Sequence, residues 1–226
     1  MLKNYICSFV KRSRKLSLNQ KKIFFLEKKN ILPYSNKNIN LNNIFTKKKK
    51  NILEIGFGKG EASIKIAKFM PEKNFICVDT YEKGIINLLK LIKKNFLSNI
   101  KIINYDAIYV LYNMFKFFSF FGIHIFFPDP WPKKKHKKRR FINKFSIKLI
   151  ILNLKKKGYL HIVTDCEDYA NYMLKILNKN IYFKNFSKEK SFIKEEFKPK
   201  YRFITSYEKK ALNFKRKIFD LIFIKK

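Results

Sequence analysis

From Asn51 onward the chain alternates short apolar runs with amphipathic stretches, and this alternation restricts its fold more than any other feature. The runs at 51–55, 74–78, 100–103, 123–127 and 159–163 read as strands, short and apolar enough to be buried on both faces. Between and after them, residues 61–69, 82–94, 107–115, 138–154 and 167–177 read as helices. Strands separated by helices of this length imply βαβ units. The expected architecture is therefore α/β, a mostly parallel sheet with helices on both faces. A last apolar run, 218–224 broken by Asp220, predicts a final antiparallel strand at or near an edge.

The chain has 226 residues, enough for one domain with a small extension. Residues 1–46 are basic and irregular, Asn-rich around 36–43, and read as an arm. Lys47 to Lys50 mark the boundary to a domain at 47–226. Residues 110–127 are nearly all apolar, but they contain Asn113, Lys116 and His124 and run into Pro128. They are expected to form a short helix, a turn at Gly122 and a buried strand rather than a membrane span. Cys7, Cys77 and Cys166 are too far apart for a zinc pattern and odd in number, which predicts a reduced, cytoplasmic protein without metal. No spacing of His124, His136 and His161 suggests a triad or a metal site.

The formal net charge is +36, from 52 Lys and Arg against 16 Asp and Glu, which favours a polyanionic partner. The chain is also rich in Asn, Ile and Phe, as an AT-biased genome would make it, so the positions of the charges matter more than their total.

In a doubly wound sheet, ligands bind at the carboxyl ends of the strands. After the first strand stands Glu54-Ile55-Gly56-Phe57-Gly58-Lys59-Gly60, a turn whose glycines allow close backbone approach. Asp79 ends the second strand about 20 residues later, where a carboxylate can hold a ribose diol. Glu61 occupies the place of the third glycine of a dinucleotide turn and would repel pyrophosphate, which disfavours a nicotinamide-dependent oxidoreductase. S-adenosylmethionine carries a sulfonium and an ammonium and no phosphate, so these acids suit it. Asp106 after the third strand can accept from an adenine amino group, cap a helix, or do both.

After the fourth strand, Pro128-Asp129-Pro130-Trp131-Pro132 form a rigid loop. Asp129 can hold a target base by its N–H groups. Trp131 can stack on a base or pack under the loop. Lys133, Lys134, Lys135, His136, Lys137, Lys138, Arg139 and Arg140 follow without a break and suit RNA phosphates. Thr164-Asp165 and Thr205-Ser206-Tyr207-Glu208 are polar clusters that say little alone.

Taken with Ser8-Phe9-Val10-Lys11-Arg12, these motifs resemble those of the bacterial tRNA (guanine-N7)-methyltransferases over nearly the whole chain. The resemblance implies a class I S-adenosylmethionine-dependent methyltransferase, Rossmann-like, with a seven-stranded sheet. It implies methyl transfer to N7 of a tRNA guanosine, position 46 of the variable loop, by a monomer or homodimer. Glu54, Gly56, Gly58, Gly60, Asp79, Asp106 and Asp129 align with donor-binding positions, and Asp129 also with the catalytic one. Lys133, Asp165, Thr205 and Glu208 align with substrate-binding positions. Lys135, His136, Lys137, Lys138, Arg139 and Arg140 fall where RNA is contacted. Asp79 departs from the Glu more usual in the family. An RNA-binding protein without catalysis, or an enzyme for another RNA, would share much of this sequence signature.

Overall fold

The computed structural model of the protein describes residues 5–10 and 16–226; Lys11 and Arg12 of the N-terminal motif lie outside the described residues. The elements in chain order are α1 (Leu18–Leu26), β1 (Lys50–Ile55), α2 (Glu61–Phe69), β2 (Lys73–Asp79) and α3 (Glu82–Lys94). β3 (Ile100–Asn104), α4 (Ala107–Tyr109), β4 (Phe120–Phe126), α5 (Lys144–Asn153) and β5 (Leu154–Thr164) follow. The chain closes with α6 (Glu167–Asn178), β6 (Phe183–Asn185), α7 (Ser206–Asn213) and β7 (Phe219–Lys225). The seven strands form one sheet in the order β3-β2-β1-β4-β5-β7-β6. β1 to β5 are parallel, and β7 is antiparallel to both β5 and β6. This is the expected α/β architecture. β7 is antiparallel and near the edge, as expected, with the short β6 pairing on its outer side.

The central strands are apolar because both faces are covered. One layer buries Ile64, Ile66, Ile85, Leu88 and Leu89 of α2 and α3 against Ile52, Phe75 and Cys77. The other buries Ile147, Ile150, Tyr169, Met173 and Leu177 of α5 and α6 against Leu53, Ile123 and Ile162. Leu41 and Phe45 of the arm join this second core, and Ile31 bridges to Ile102 and Ile39 to Phe115. Residues 16–46 are thus laid along the domain, with a helix at Leu18–Leu26 that their irregular composition does not announce.

Three elements differ from the sequence reading. The helix expected at 107–115 is one regular turn, Ala107–Tyr109, followed by a widened five-residue turn, Val110–Met114. It ends there because the Met114 carbonyl accepts the Ile39 N–H at 2.8 Å, committing Phe115 to a bridge. The helix expected from 138 begins only at Lys144, where Asn143 caps the N–H groups of Phe145 and Ser146. The Lys134–Arg139 stretch before it is a tighter 3₁₀ coil. Gly122 is not a turn: it lies within β4, opposite Tyr159, and an added Cβ would stand 2.5 Å from the Tyr159 ring. The turn falls earlier, at Phe117 and Phe118, where Phe118 has φ 61°.

A helix glycine packs against the glycine turn after β1. A Cβ on Gly84 in α3 would stand 1.9 Å from the carbonyl oxygen of Gly58. Gly84→Ala is therefore expected to lower stability by about 1–3 kcal/mol, read as a shift of the urea midpoint at constant m-value. An unchanged midpoint would mean that α3 can retreat from the turn without loss.

Candidate active site at the carboxyl edge of the sheet

The strand ends gather four carboxylates. Glu54 lies one residue before the end of β1 and is buried, flanked across the sheet by Cys77 and His124. The Cys77 thiol donates to it at 3.6 Å. Burial raises the Glu54 carboxyl from the ordinary range to about 7. Asp79 ends β2. Its Oδ1 accepts the N–H groups of Thr80 (2.7 Å) and Tyr81 (2.9 Å), and its Oδ2 that of Gly58 (2.8 Å). Burial raises Asp79 as well, with a further upward push from the charge of Asp129. Asp106 caps α4 through the Ile108 N–H at 2.8 Å and is also raised by burial. Asp129, in the proline loop after β4, is exposed.

The glycine turn sits among these acids. Gly56, Gly58 and Gly60 have φ of 75°, 58° and 74°, a region that L side chains adopt only with strain. The Gly56 N–H donates to the Val78 carbonyl at 2.8 Å, tying the turn to β2. Among the described residues nothing lies within 4 Å of where a Cβ on Gly56 or Gly58 would stand, so the outer side of the turn is open to them. Glu61 opens α2 beyond it and is exposed. An open backbone turn flanked by acids, Glu54 and Asp79 among them raised by burial, fits a cationic ligand and opposes a diphosphate. Among the described residues no group of three or more His, Cys, Asp or Glu is placed to hold a metal ion.

The arm reaches this edge. Tyr5 donates to Asp106 Oδ1 at 3.4 Å. The Trp131 indole N–H donates to the Ser8 carbonyl at 2.9 Å, and Arg139 Nε to the Cys7 carbonyl at 3.2 Å. Trp131 is half-buried, with the Arg139 guanidinium 4.6 Å from its ring centroid and the edge of His136 at 5.7 Å. It packs between the arm and the basic coil.

The basic run is not uniform. Lys133, Lys134, Lys135 and Lys138 are exposed, and His136, Lys137 and Arg139 half-exposed. Lys137 pairs with Asp168 at 2.9 Å. Arg140 turns inward: its Nε donates to the Pro130 carbonyl at 2.9 Å, it pairs with Asp168, and its guanidinium lies 4.6 Å from the Tyr169 ring centroid. It anchors the proline loop to α6.

Asp165, just past β5, accepts from Arg216 at 2.8 Å. Thr164 Oγ1 accepts the Cys166 N–H at 3.2 Å, turning the chain toward α6. Thr205 and Glu208 form a reciprocal cap on α7: Glu208 N–H donates to Thr205 Oγ1 at 3.0 Å and Thr205 N–H to Glu208 Oε2 at 3.3 Å. Glu208 is buried and pairs with Arg202 at 2.9 Å.

That pair belongs to a buried network that spacing along the chain does not reveal. His124 and His161 stand opposite each other on β4 and β5. His161 Nε2 is 2.8 Å from Asp220 Oδ1, and Arg202 Nε donates to the same oxygen at 3.1 Å. His161 Nδ1 is 3.1 Å from the Tyr201 hydroxyl, and His124 Nε2 is 2.9 Å from the Tyr159 hydroxyl. His124 stacks between Phe126 and Tyr201. The network thus underlies the strand end that carries the Asp129 loop. One signal was present: Asp220 interrupts an otherwise apolar strand, and a buried acid needs a partner.

Burial lowers the pKa of both His124 and His161, His161 against the opposing pull of Asp220. A histidine held neutral by the fold contributes stability that is complete above its unfolded pKa of about 6.5 and is lost as pH falls through it. Stability is expected to fall between pH 7.5 and 5.5. In His124→Phe, which keeps the ring stack, the decline should be shallower. Equal slopes in chemical denaturation at the two pH values would show that His124 is not the titrating group.

The profile of a protein family described as "Putative methyltransferase" matches residues 48–221. A tRNA (guanine-N(7)-)-methyltransferase of Nitrosomonas europaea is 42% identical over 192 residues, 85% of this chain and 84% of its own. One of Buchnera aphidicola is 43% identical over 185 residues, 82% of this chain and 76% of its own. Among solved structures, an rRNA methylase from Streptococcus thermophilus has the same fold, with a TM-score of 0.52 at 10% identity, over 78% of this chain and 87% of its own. With its glycine turn, its acids at the strand ends and identity of this extent, the chain belongs to the tRNA (guanine-N(7)-)-methyltransferase family.

Proposed function

We propose that the protein transfers the methyl group of S-adenosylmethionine to N7 of a guanosine in tRNA, at position 46 of the variable loop. The observation that carries this reading is the juxtaposition at one sheet edge of an acid-ringed glycine turn, the exposed Asp129 and a basic coil. S-adenosylmethionine supplies an electrophilic methyl group on a sulfonium.

The chain's own residues bind and orient. Glu54 holds the donor's positive end, and the turn of Gly56, Gly58 and Gly60 lets the backbone approach it. Asp106 faces the adenine. A carboxylate has about four lone-pair sites, and Asp79 gives three to backbone N–H groups. One remains for a ribose hydroxyl, so the shorter Asp serves both the turn and the ligand.

Guanine N7 carries an in-plane lone pair, so no base must deprotonate it. Alignment is the main task and can supply roughly 7–11 kcal/mol. Methylation places positive charge on the purine, and Asp129 stabilises that charge through base N–H groups. Lys133, Asp165 and the turn from Thr205 to Glu208 form the guanine pocket. Lys135, His136, Lys137, Lys138 and Arg139 grip phosphates, and Arg140 acts from beneath by holding the loop.

The test is a methyl-transfer assay with labelled donor and unmodified tRNA transcripts, the product nucleoside being identified by mass spectrometry. The expected product is 7-methylguanosine. Asp129→Ala should lower kcat by about 10²–10³ while tRNA affinity stays within about twofold. Transfer to another base, or tRNA binding without transfer, would overturn the reading.

Glu54 adds a pH signature. Its ionised form is needed for a cation, and burial pushes its carboxyl up to about 7. Donor affinity is expected to rise from pH 6 to 7.5, and Glu54→Gln should bind more weakly with a flatter profile. A wild-type profile as flat as the variant's would remove Glu54 from donor binding.

A further inference from the structure

We propose that residues 209–217 form a second RNA-backbone contact at the same sheet edge as the 133–139 coil, and that Arg216 passes from Asp165 to a phosphate when RNA binds. The proposal rests on the RNA reading above. The segment carries Lys209, Lys210, Lys215, Arg216 and Lys217, all exposed. It lies at the carboxyl edge because β7 runs antiparallel to β5, with Phe219 opposite Thr164.

Lysine density alone carries nothing in this chain, since basic residues are spread along all of it. Three further observations set the segment apart. The first is its rigidity. The end of α7 is closed by a double backbone bond, Arg216 N–H to the Ala211 carbonyl at 2.9 Å and Lys215 N–H to that of Leu212 at 2.8 Å. Lys215 takes the left-handed position, φ 54°, usually given to Gly. Arg216 is therefore presented by fixed backbone.

The second is the pairing of Arg216. Its Nη1 donates to Asp165 Oδ2 at 2.8 Å, with the Arg216 side chain 58% exposed and that of Asp165 only 10%. The guanidinium covers a carboxylate of the proposed guanine pocket yet stays largely exposed, and its planar fork of donors is the geometry that phosphate accepts. A base reaching Asp165 must displace it, and the freed cation then stands beside the nucleotide's own backbone.

The third is the placing of aromatic residues among the cations. Tyr207 and Phe214 are 60% and 75% exposed. The Tyr207 ring lies 6.0 Å from that of Phe127, two residues before Asp129. Exposed rings between cations suit stacking on nucleobases.

The sheet supplies its own control. Lys155, Lys156 and Lys157 are equally exposed, but they lie near the amino end of β5, at the opposite edge. Lys209→Ala/Lys210→Ala/Lys217→Ala and Lys155→Ala/Lys156→Ala/Lys157→Ala each remove three charges. Equilibrium binding of a tRNA transcript is measured from 50 to 300 mM salt. The first variant should flatten the slope of log K against log salt by about 0.7–0.9 for each phosphate it no longer neutralises, and by two such steps or more. The second should leave the slope within error of wild type. Equal changes in both would overturn the proposal of a second RNA-backbone surface.

Arg216→Ala should weaken tRNA binding at least threefold, leave donor affinity unchanged, and be partly rescued by Arg216→Lys. Unchanged or tighter tRNA binding would make Arg216 a surface residue or a plug on Asp165, and would end its phosphate role. Wild-type protein with no salt-dependent tRNA binding would instead sink the RNA reading itself, whatever the variants do.

Discussion

The bond from the Gly58 N–H to Asp79 Oδ2 holds the two strand ends on which the site depends. It closes the glycine turn after β1 onto the end of β2, while the other Asp79 oxygen takes the first two N–H groups beyond β2. Gly84 lets α3 lie against the same turn without a side chain between them. The consequence is electrostatic as well as geometric. With the turn pinned, Glu54 and Asp79 are held close to each other and largely out of water, and burial raises both, as it raises Asp106 beyond β3. A pocket in this condition gains most from a positively charged ligand, because the ligand restores the ionised forms that burial disfavours.

Around this acidic centre the surface is basic. The separation is sharp for a chain with 16 acidic residues against 52 basic ones. Glu54 is buried before the turn and Asp79 bonds to it, while Lys133, Lys134, Lys135 and Lys138 face solvent. Two basic residues of the run serve the structure. Arg140 ties the proline loop to α6 through Asp168, and Arg139 ties the arm to Trp131. The same composition thus supplies an electrostatic surface and the anchors that keep it in place.

Beneath the proline loop lies the Arg202, Asp220, His161 and Glu208 network. Buried charges persist only with partners, and here Arg202 lies between two carboxylates. It connects β7, the residues before α7 and the floor of β4 and β5. The strand end that leads into the Asp129 loop is backed by this network through the Arg202 guanidinium against Phe126 and Phe127 and the His124 ring against Phe126.

Much of this was legible in the sequence. The alternation of buried runs and amphipathic stretches dictated the parallel sheet, since strands covered on both faces must be apolar throughout. It also placed Glu54, Asp79, Asp106 and Asp129 at one edge, because in a parallel sheet the ends of successive strands all lie on one side. Local chemistry located the glycine turn and the rigid proline loop. Relations between residues distant in the chain arose only in the folded state. His124 meets His161 through strand register, and Arg202 reaches Asp220 because β7 inserts antiparallel beside β5. Arg140 points inward while Lys133, Lys134, Lys135 and Lys138 face solvent, because Asp168 on another helix is within its reach. Residues 31–39, polar and irregular as a sequence, acquire order from backbone groups at Ile102, Met114 and Phe115 that they do not themselves encode. Composition and period act over a few residues and are read directly. Register and pairing are set by packing across the sheet, and they exist only once the chain is folded.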